Sequence, residues 1–102
     1  MALSYIILDE AQVEFESIVY YLHEVLKSPQ AALGFIDEFE HQIQLVCENP
    51  NLYGLSRFEW LRRRGYHIIP INNYGALYKV RDGIVSVEHI FHQRQNYAKL
   101  GL

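Results

Sequence analysis

The chain opens with a short apolar run and continues into a stretch whose apolar residues recur at helical spacing. Residues 3–8, Leu-Ser-Tyr-Ile-Ile-Leu, are too apolar for an exposed edge and predict a buried strand. Asp9 follows as a candidate N-cap, and Gln12 three residues later completes a candidate capping box. The apolar stripe that follows predicts an amphipathic helix ending near Lys27.

A second apolar stripe lies between Ser28-Pro29 and Pro50. A serine hydroxyl can accept from backbone N–H groups at a helix N-terminus, and proline is well suited to the first helical position. The helix must end before Pro50, because the residue preceding a proline is disfavoured in the α region. Few residues separate the two helices, so the pattern predicts an antiparallel helical hairpin.

After a polar loop that reaches about Glu59, the apolar period changes from helical to strand-like. Asn72-Asn73 and Asp82-Gly83 interrupt the alternation, and Asp-Gly is a strong signal for a two-residue hairpin turn. Pro70 cannot donate to a ladder, which places its strand at a sheet edge or at a bulge. The predicted strands are Arg64–Ile71, Tyr74–Arg81 and Ile84–His92.

These elements predict an α+β fold of order β-α-α-β-β-β, with the helical hairpin packed on one face of a mainly antiparallel sheet. The 102 residues, half of them hydrophobic, suit one domain over 1–102. Cys47 is the only cysteine, which excludes an intrachain disulfide and fits a reducing compartment. No apolar run is long enough to span a membrane, and the N-terminus has no basic flank typical of a signal peptide. We therefore expect a cytoplasmic protein without membrane association.

The net charge of −3 conceals opposite charges in the two halves of the chain. Residues 1–50 carry nine acidic side chains and one basic side chain, whereas residues 51–102 carry eight basic and three acidic ones. Such an asymmetry suggests a polyanionic or acidic partner for the second half. It is equally compatible with two solvated surfaces that attract each other within the fold.

The end of the last predicted strand carries the best-defined set of polar side chains. Strict alternation would place Glu88, His92 and Arg94 on one face, with Tyr97 just beyond. Metal-free RNA cleavage needs a base, an acid and a cation at the phosphate. His92 and Tyr97 could transfer protons, and Arg94 could bind the phosphate. The alternative is that His92 and Arg94 solvate a strand end, paired with Glu88.

Further candidates for phosphate or partner binding lie upstream of that strand. Tyr78 could stack on a base. Arginines suit both phosphates and acidic peptides, although consecutive strand residues point to opposite faces. These arginines could instead protect the edge of a strand against pairing with another chain. No metal or cofactor is expected, because His89 and His92 would point to opposite faces of a strand and no zinc or phosphate-loop motif occurs. The basic candidates are Arg62, Arg63, Arg64 and Arg81.

Several stretches resemble the RelE/ParE superfamily, the toxins of bacterial type II toxin–antitoxin modules. Residues 7–12 resemble the family's start of helix one, and Ser28-Pro-Gln-Ala-Ala with Phe35 resembles its start of helix two. Asn73-Tyr-Gly-Ala-Leu-Tyr-Lys-Val and His89-Ile-Phe-His-Gln-Arg-Gln-Asn-Tyr resemble its last two strands. The resemblance spans nearly the whole chain, and the order and spacing of these motifs carry it.

The resemblance implies one of two modes of action. RelE-like members cut mRNA on the ribosome, which would make this chain a ribosome-dependent endoribonuclease, whereas ParE-like members poison DNA gyrase. In the RelE-like pattern Arg94 matches the last-strand arginine, His92 lies close to a catalytic histidine of other mRNA-cutting relatives, and Tyr97 stands where a C-terminal tyrosine is found. Residues 62–64 lie near the second-strand basic positions.

One departure from the RelE-like pattern concerns the third strand. The pattern has an arginine just after an aromatic residue, and here Gly75 follows Tyr74. Loss of a cation at the phosphate would remove transition-state stabilisation. The acidic pI of about 5.9 also favours the ParE-like mode, so the target stays open between ribosome-bound mRNA and gyrase.

The resemblance further implies a cognate antitoxin that covers the basic sheet surface. The alternative from another class is a non-catalytic binding module with the toxin fold.

Overall fold

The computed structural model describes residues 2–55 and 59–92. Its elements follow the predicted order, with one short helix added before the second strand. A π-helical turn over Tyr21–Val25 continues the first helix. The elements are β1 (Ser4–Ile7), α1 (Asp9–Tyr20), α2 (Pro29–Glu48), α3 (Glu59–Arg63), β2 (His67–Ile71), β3 (Tyr74–Arg81) and β4 (Ile84–His92).

The strands form one sheet in the order β1-β4-β3-β2. The β2–β3 and β3–β4 pairs are antiparallel, and β1 pairs with β4 in parallel. The predicted α+β architecture, a helical hairpin on a mainly antiparallel sheet, is confirmed. Pro70 lies on the edge strand β2, as predicted from its missing N–H.

The hairpin turn between β3 and β4 forms because two residues adopt left-handed backbone angles. Asp82 has φ 52° and Gly83 has φ 76°, the combination that a type I′ turn requires. Asn72, in the turn between β2 and β3, has φ 55°. Asparagine, aspartate and glycine tolerate this region better than other residues do. The turn residues therefore fix the ends of the last two strands at the predicted positions.

The two helices begin in different ways. Ser28 caps α2 as predicted: its hydroxyl accepts from the Ala31 N–H at 3.2 Å, and Pro29 follows at the first helical position. The predicted cap at Asp9 is wrong, because Asp9 is already inside α1 and Leu8 occupies the N-cap position without a side-chain hydrogen bond. The side chain of Gln12 donates to Glu16 instead, at 2.9 Å.

The prediction that the first strand is buried is also wrong. β1 is an edge strand, and Tyr5 and Ile6 are 44% and 48% exposed. The apolar run indicated the strand but not its place in the sheet, because edge or centre is decided by which strands pair. β1 ends opposite Val87, and further along β4 the Ile90 N–H donates to the Glu14 carboxylate of α1 at 3.0 Å.

The main core lies between the helical hairpin and one face of the sheet. Phe15 of α1 contacts the rings of Phe35 and Phe39 of α2, with centroids 5.3 and 5.1 Å apart. A smaller cluster on the opposite face contains Leu61, Tyr66, Leu77 and Phe91. Among the described residues no helix is long and apolar enough to cross a membrane. The buried members of the main core are Ala11, Leu22, Ala32, Phe35, Phe39, Ile43, Val46, Cys47, Ile69, Ile71, Ala76, Tyr78, Val85, Val87 and Ile90.

Candidate functional site

A β-bulge in β4 controls where the candidate residues point. Leu77 of β3 is opposite His89, but its neighbour Tyr78 is opposite Val87, which leaves Glu88 as an extra residue on β4. An extra residue in one strand reverses the side-chain alternation beyond it. Val87 before the bulge and Ile90 after it accordingly both join the main core.

The bulge corrects the predicted face of the last strand. Phe91 belongs to the small cluster on the face opposite the helices, and Glu88 bonds to Tyr66 of the same cluster. His92 instead contacts the ring of Tyr74, which packs against the main core. Glu88 and His92 therefore lie on opposite faces of the sheet. Arg94 and Tyr97, the other two residues of the predicted catalytic set, lie outside the described residues.

Glu88 is the centre of a hydrogen-bonded network on the face opposite the helices. Its carboxylate accepts from the Tyr66 hydroxyl at 2.7 Å and from the Arg81 guanidinium at 2.9 Å, with Ser86 at 3.4 Å. Glu88 is only 7% exposed. A buried carboxylate is tolerated when hydrogen bonds and an opposite charge replace its water. The network thus fixes the guanidinium of Arg81 at the sheet surface.

Two further cations, those of Lys79 and Arg64, lie near Tyr66. The Lys79 ammonium lies 4.3 Å from the centre of the Tyr66 ring, a cation–π arrangement. Burial and the hydrogen bond to Glu88 raise the pKa of Tyr66 to about 12, while the charges of Arg81 and Arg64 act in the opposite direction. We call Arg64, Lys79 and Arg81 with Tyr66 and Glu88 the basic face. Its three cations outnumber its one carboxylate.

The three consecutive arginines divide between α3 and a turn. The predicted start of the second strand at Arg64 is wrong, since the strand begins at His67 and residues 59–63 form α3. A positive φ of 81° at Gly65 turns the chain between them. Arg62 and Arg63 are exposed on α3, where Arg63 pairs with Glu59 at 2.6 Å. Of the three, Arg64 is the one whose charge lowers the pKa of Tyr66, and we therefore include it in the basic face.

Tyr78, a candidate for base stacking, is fully buried in the main core. Its hydroxyl donates to the carbonyl of Pro50 at 2.9 Å, and its ring stacks on His67 with centroids 4.9 Å apart. Burial raises its pKa to about 12. These contacts hold Tyr78 in the core, and it could stack on a base only by leaving the core.

His92 lines an open cleft of about 440 Å³ between α1 and the end of β4. Its ring meets that of Tyr74 edge-on, with centroids 5.2 Å apart. Glu14, Ser17 and Tyr21 line the opposite wall from α1, and no lysine or arginine is among the described residues that line it. The structure therefore separates the predicted proton-transfer group from the described cations.

A side chain at position 75 would crowd the ring of Phe91. The two residues are paired across β3 and β4, and a Cβ atom at position 75 would lie 3.1 Å from Cζ of Phe91 and 3.4 Å from Cγ2 of Ile68. This spacing is tighter than most side chains accept. The space that the arginine of the RelE-like pattern would need is filled in this chain by the ring of Phe91.

The sequence did not indicate Tyr66 and Lys79 as members of the basic face, nor Ser86 as a hydrogen-bond partner of Glu88. Tyr66 was assigned to a strand with no special role, and Lys79 and Ser86 sit within apparently ordinary alternation. Tertiary structure brings Tyr66, which follows the turn at Gly65, to Glu88 and places Lys79 over its ring. Within the described ranges no group of three histidine, cysteine, aspartate or glutamate side chains could hold a metal ion.

Comparison with known proteins identifies the family. A family model described as the ParE toxin of the type II toxin–antitoxin system parDE matches residues 5–97. No curated protein sequence gives a significant match. A structure titled as the chromosomal ParDE toxin–antitoxin system from P. aeruginosa is similar with a TM-score of 0.70 and 17% identity, over 89% of this chain and 96% of that one.

A second similar structure is described as the RelBE2 toxin–antitoxin complex from Mycobacterium tuberculosis. It aligns with a TM-score of 0.60 and 17% identity over 90% of this chain and 99% of that one. At this identity the likeness concerns the fold alone. The family model, by contrast, spans nearly the whole chain, and the chain therefore belongs to the ParE toxin family of type II toxin–antitoxin systems.

Proposed function

We propose that this toxin inhibits bacterial growth by binding and poisoning DNA gyrase, and that a cognate antitoxin neutralises it. Membership of the ParE family gives the reason to test gyrase first. The observation that carries the proposal is the β-bulge at Glu88, which places His92 on the face of the sheet opposite Arg81 and Lys79, so that the basic face and His92 do not share one site; Arg94 lies outside the described residues. Metal-free RNA cleavage needs its proton-transfer groups and its phosphate cation around one phosphate.

The position of Gly75 supports the same proposal. An arginine there would have to displace the ring of Phe91, which is 1% exposed. The cation that the RelE-like pattern supplies from the third strand is thus replaced by an apolar contact. This contact supports a binding role for the exposed cations of the basic face.

The basic face is also our proposed contact for the antitoxin. Arg81 pairs with the buried carboxylate of Glu88, while Lys79 and Arg64 are the two cations near Tyr66. Because the cations outnumber the carboxylate, this surface should attract an acidic segment. The two similar structures are toxin–antitoxin systems by their descriptions. For this chain the antitoxin is a proposal, to be tested by co-expression with the adjacent open reading frame.

Ribosome-dependent mRNA cleavage is the second candidate, because the same three cations could contact a phosphate backbone. The two mechanisms are separated by adding purified toxin to gyrase with plasmid DNA and, in parallel, to a translating extract. Gyrase poisoning predicts trapped gyrase–DNA complexes with intact mRNA. Cut mRNA without trapped complexes would overturn the proposal in favour of cleavage.

Growth tests address the remaining alternative. The toxin expressed alone should stop growth, and co-expression with the antitoxin should restore it. A non-catalytic binding module of the same fold predicts no growth defect in either case. The matched variants are Arg81→Gln, which removes a cation of the basic face, and Arg63→Gln, which removes one from α3. A loss of toxicity or of antitoxin binding only with Arg81→Gln would assign the function to the basic face.

A further inference from the structure

The two sides of the molecule carry opposite charge. All nine aspartates and glutamates of residues 1–50 lie in the helical segments, and Lys27 is the only lysine or arginine in that half of the chain. The helices pack on one face of the sheet, and the basic face lies on the other, with Arg64 and Arg81 exposed. A polyanion is therefore repelled by the helical layer and steered towards the basic face.

Lys79 and Arg81 are held in place before any partner binds. They are two residues apart on β3, so their side chains lie on the same face of the sheet with Cα atoms roughly 7 Å apart. The Arg81 guanidinium donates to Glu88 at 2.9 Å, and the Lys79 ammonium lies 4.3 Å from the centre of the Tyr66 ring. Side chains that are already ordered lose little conformational entropy on binding. The spacing lets the two cations contact two different phosphates.

The carboxylate of the basic face does not cancel its positive charge. Glu88 is buried, whereas the side chain of Arg81, with which it pairs, is exposed. An approaching anion therefore meets the guanidinium of Arg81 and the ammonium of Lys79 before it meets the carboxylate. Exposed arginine and lysine side chains in this arrangement suit phosphate groups.

Poisoning of gyrase adds a thermodynamic requirement. A toxin that traps gyrase on DNA must bind the gyrase–DNA complex more tightly than it binds gyrase without DNA, because a ligand that binds two states equally does not shift their equilibrium. The additional free energy must come from contacts that are made only in the complex. The DNA phosphates are present only there, and lysine and arginine are the side chains that bind them.

We propose that the basic face contacts the phosphate backbone of the DNA that gyrase holds, and that these contacts make the toxin prefer the gyrase–DNA complex to gyrase alone. The inference rests on the proposed function, since gyrase supplies the DNA. The contacts are independent of base sequence, because the cations meet phosphates and not base edges. An acidic segment of the antitoxin on the same face excludes the DNA, so that the antitoxin neutralises the toxin by competition.

The test measures the affinity of the unaltered toxin for purified gyrase with and without linear duplex DNA, over a range of salt concentrations. We expect tighter binding with DNA, and a ratio of the two affinities that falls as salt rises. Each phosphate that a cation neutralises contributes about −0.9 to the slope of log affinity against log salt concentration. For the cations of Arg64, Lys79 and Arg81 together, the slope of the ratio should be no steeper than about −2.7.

Substitutions of single cations show which side chains contact the DNA. Lys79→Gln should make the slope of the ratio shallower by about 0.9, whereas Lys79→Arg keeps the charge and should keep the slope. Lys27→Gln removes the same charge from the exposed connection between the two long helices and should leave the ratio and its slope unchanged. If circular dichroism shows that Lys79→Gln does not fold, Arg81→Gln removes another cation of the basic face and should shift the slope by the same amount.

Two results would overturn the inference. The same salt slope for Lys79→Gln and the unaltered chain would show that the DNA does not contact the basic face. An equal loss of affinity with and without DNA would assign the face to the gyrase protein itself. Either result leaves the proposed function intact if the unaltered toxin still traps gyrase–DNA complexes. A toxin that neither binds gyrase nor traps it on DNA contradicts the proposed function and, with it, this inference.

Discussion

On the face covered by α1 and α2, the sheet is held by a continuous core of aliphatic and aromatic side chains, whereas on the other face one buried carboxylate organises a much smaller cluster. Packing on the covered face is driven by hydrophobic burial, which is not directional and tolerates approximate geometry. The second depends on three hydrogen bonds to Glu88 and on the register of a single bulge. Stability therefore resides mainly in the covered face, and surface charge is positioned on the other.

The largest expected effect is on the covered face. Phe35→Ala should reduce the free energy of unfolding by about 4 kcal/mol, because a large buried ring is removed from contact with Phe15 and Tyr74. Urea denaturation followed by circular dichroism measures this. Leu33→Ala on the same helix is the control, since Leu33 is 60% exposed and its loss should change stability very little.

A smaller loss is expected on the other face. Glu88→Ala should reduce the free energy of unfolding by about 2 kcal/mol, since it leaves the buried Tyr66 hydroxyl without its acceptor while the exposed Arg81 regains water. The same denaturation experiment applies. Glu59→Ala, which breaks the exposed pair with Arg63, should have no measurable effect. Equal effects of the two substitutions would contradict the central role of Glu88.

Alkaline pH tests the hydrogen bond and burial of Tyr66 together. Because its pKa is raised from 10 in the unfolded chain to about 12 in the fold, the stabilising contribution is complete below pH 10 and is lost as pH rises towards 12. Stability should fall by about 1 kcal/mol per pH unit in this window for this group. Tyr66→Phe should flatten the fall.

Tyr78 should contribute in the same direction and over the same window, because burial raises its pKa to about 12 as well. Tyr20→Phe is the matched control, since Tyr20 is 64% exposed. Substituting this exposed tyrosine tests whether the loss of any tyrosine hydroxyl alters the dependence. A dependence that persisted in the Tyr66→Phe, Tyr78→Phe double variant would assign it to other groups.

The smallest effect concerns Gly75 and Phe91. Gly75→Ala should reduce stability by about 1 kcal/mol because the new Cβ atom crowds the Phe91 ring. In a Phe91→Leu background the same change should be neutral or stabilising, since alanine is otherwise preferred to glycine within a strand. A double-mutant cycle measures the difference. A cycle with no coupling would remove our explanation for glycine at this position.

Local signals were sufficient wherever neighbouring residues decide the structure. The Asp82-Gly83 turn, the Ser28-Pro29 cap and the end of α2 before Pro50 were all predicted correctly. The start of β2 was not, because the capacity of residues 59–63 to form a helix depends on Leu61 packing against Tyr66 and Leu77. The catalytic set at His92, Arg94 and Tyr97 stays a prediction, since two of its three members lie outside the described residues.

The acidic first half, the basic second half and the β-α-α-β-β-β order were determined by the sequence alone, because charge and hydrophobic period are properties of neighbouring residues. Tertiary structure decided which charges meet. The alternation of β4 could be read only as far as Glu88, where an extra residue without any turn signal reverses it. Likewise, only strand pairing placed β1 at an edge, since the same apolar run would suit the centre of a sheet.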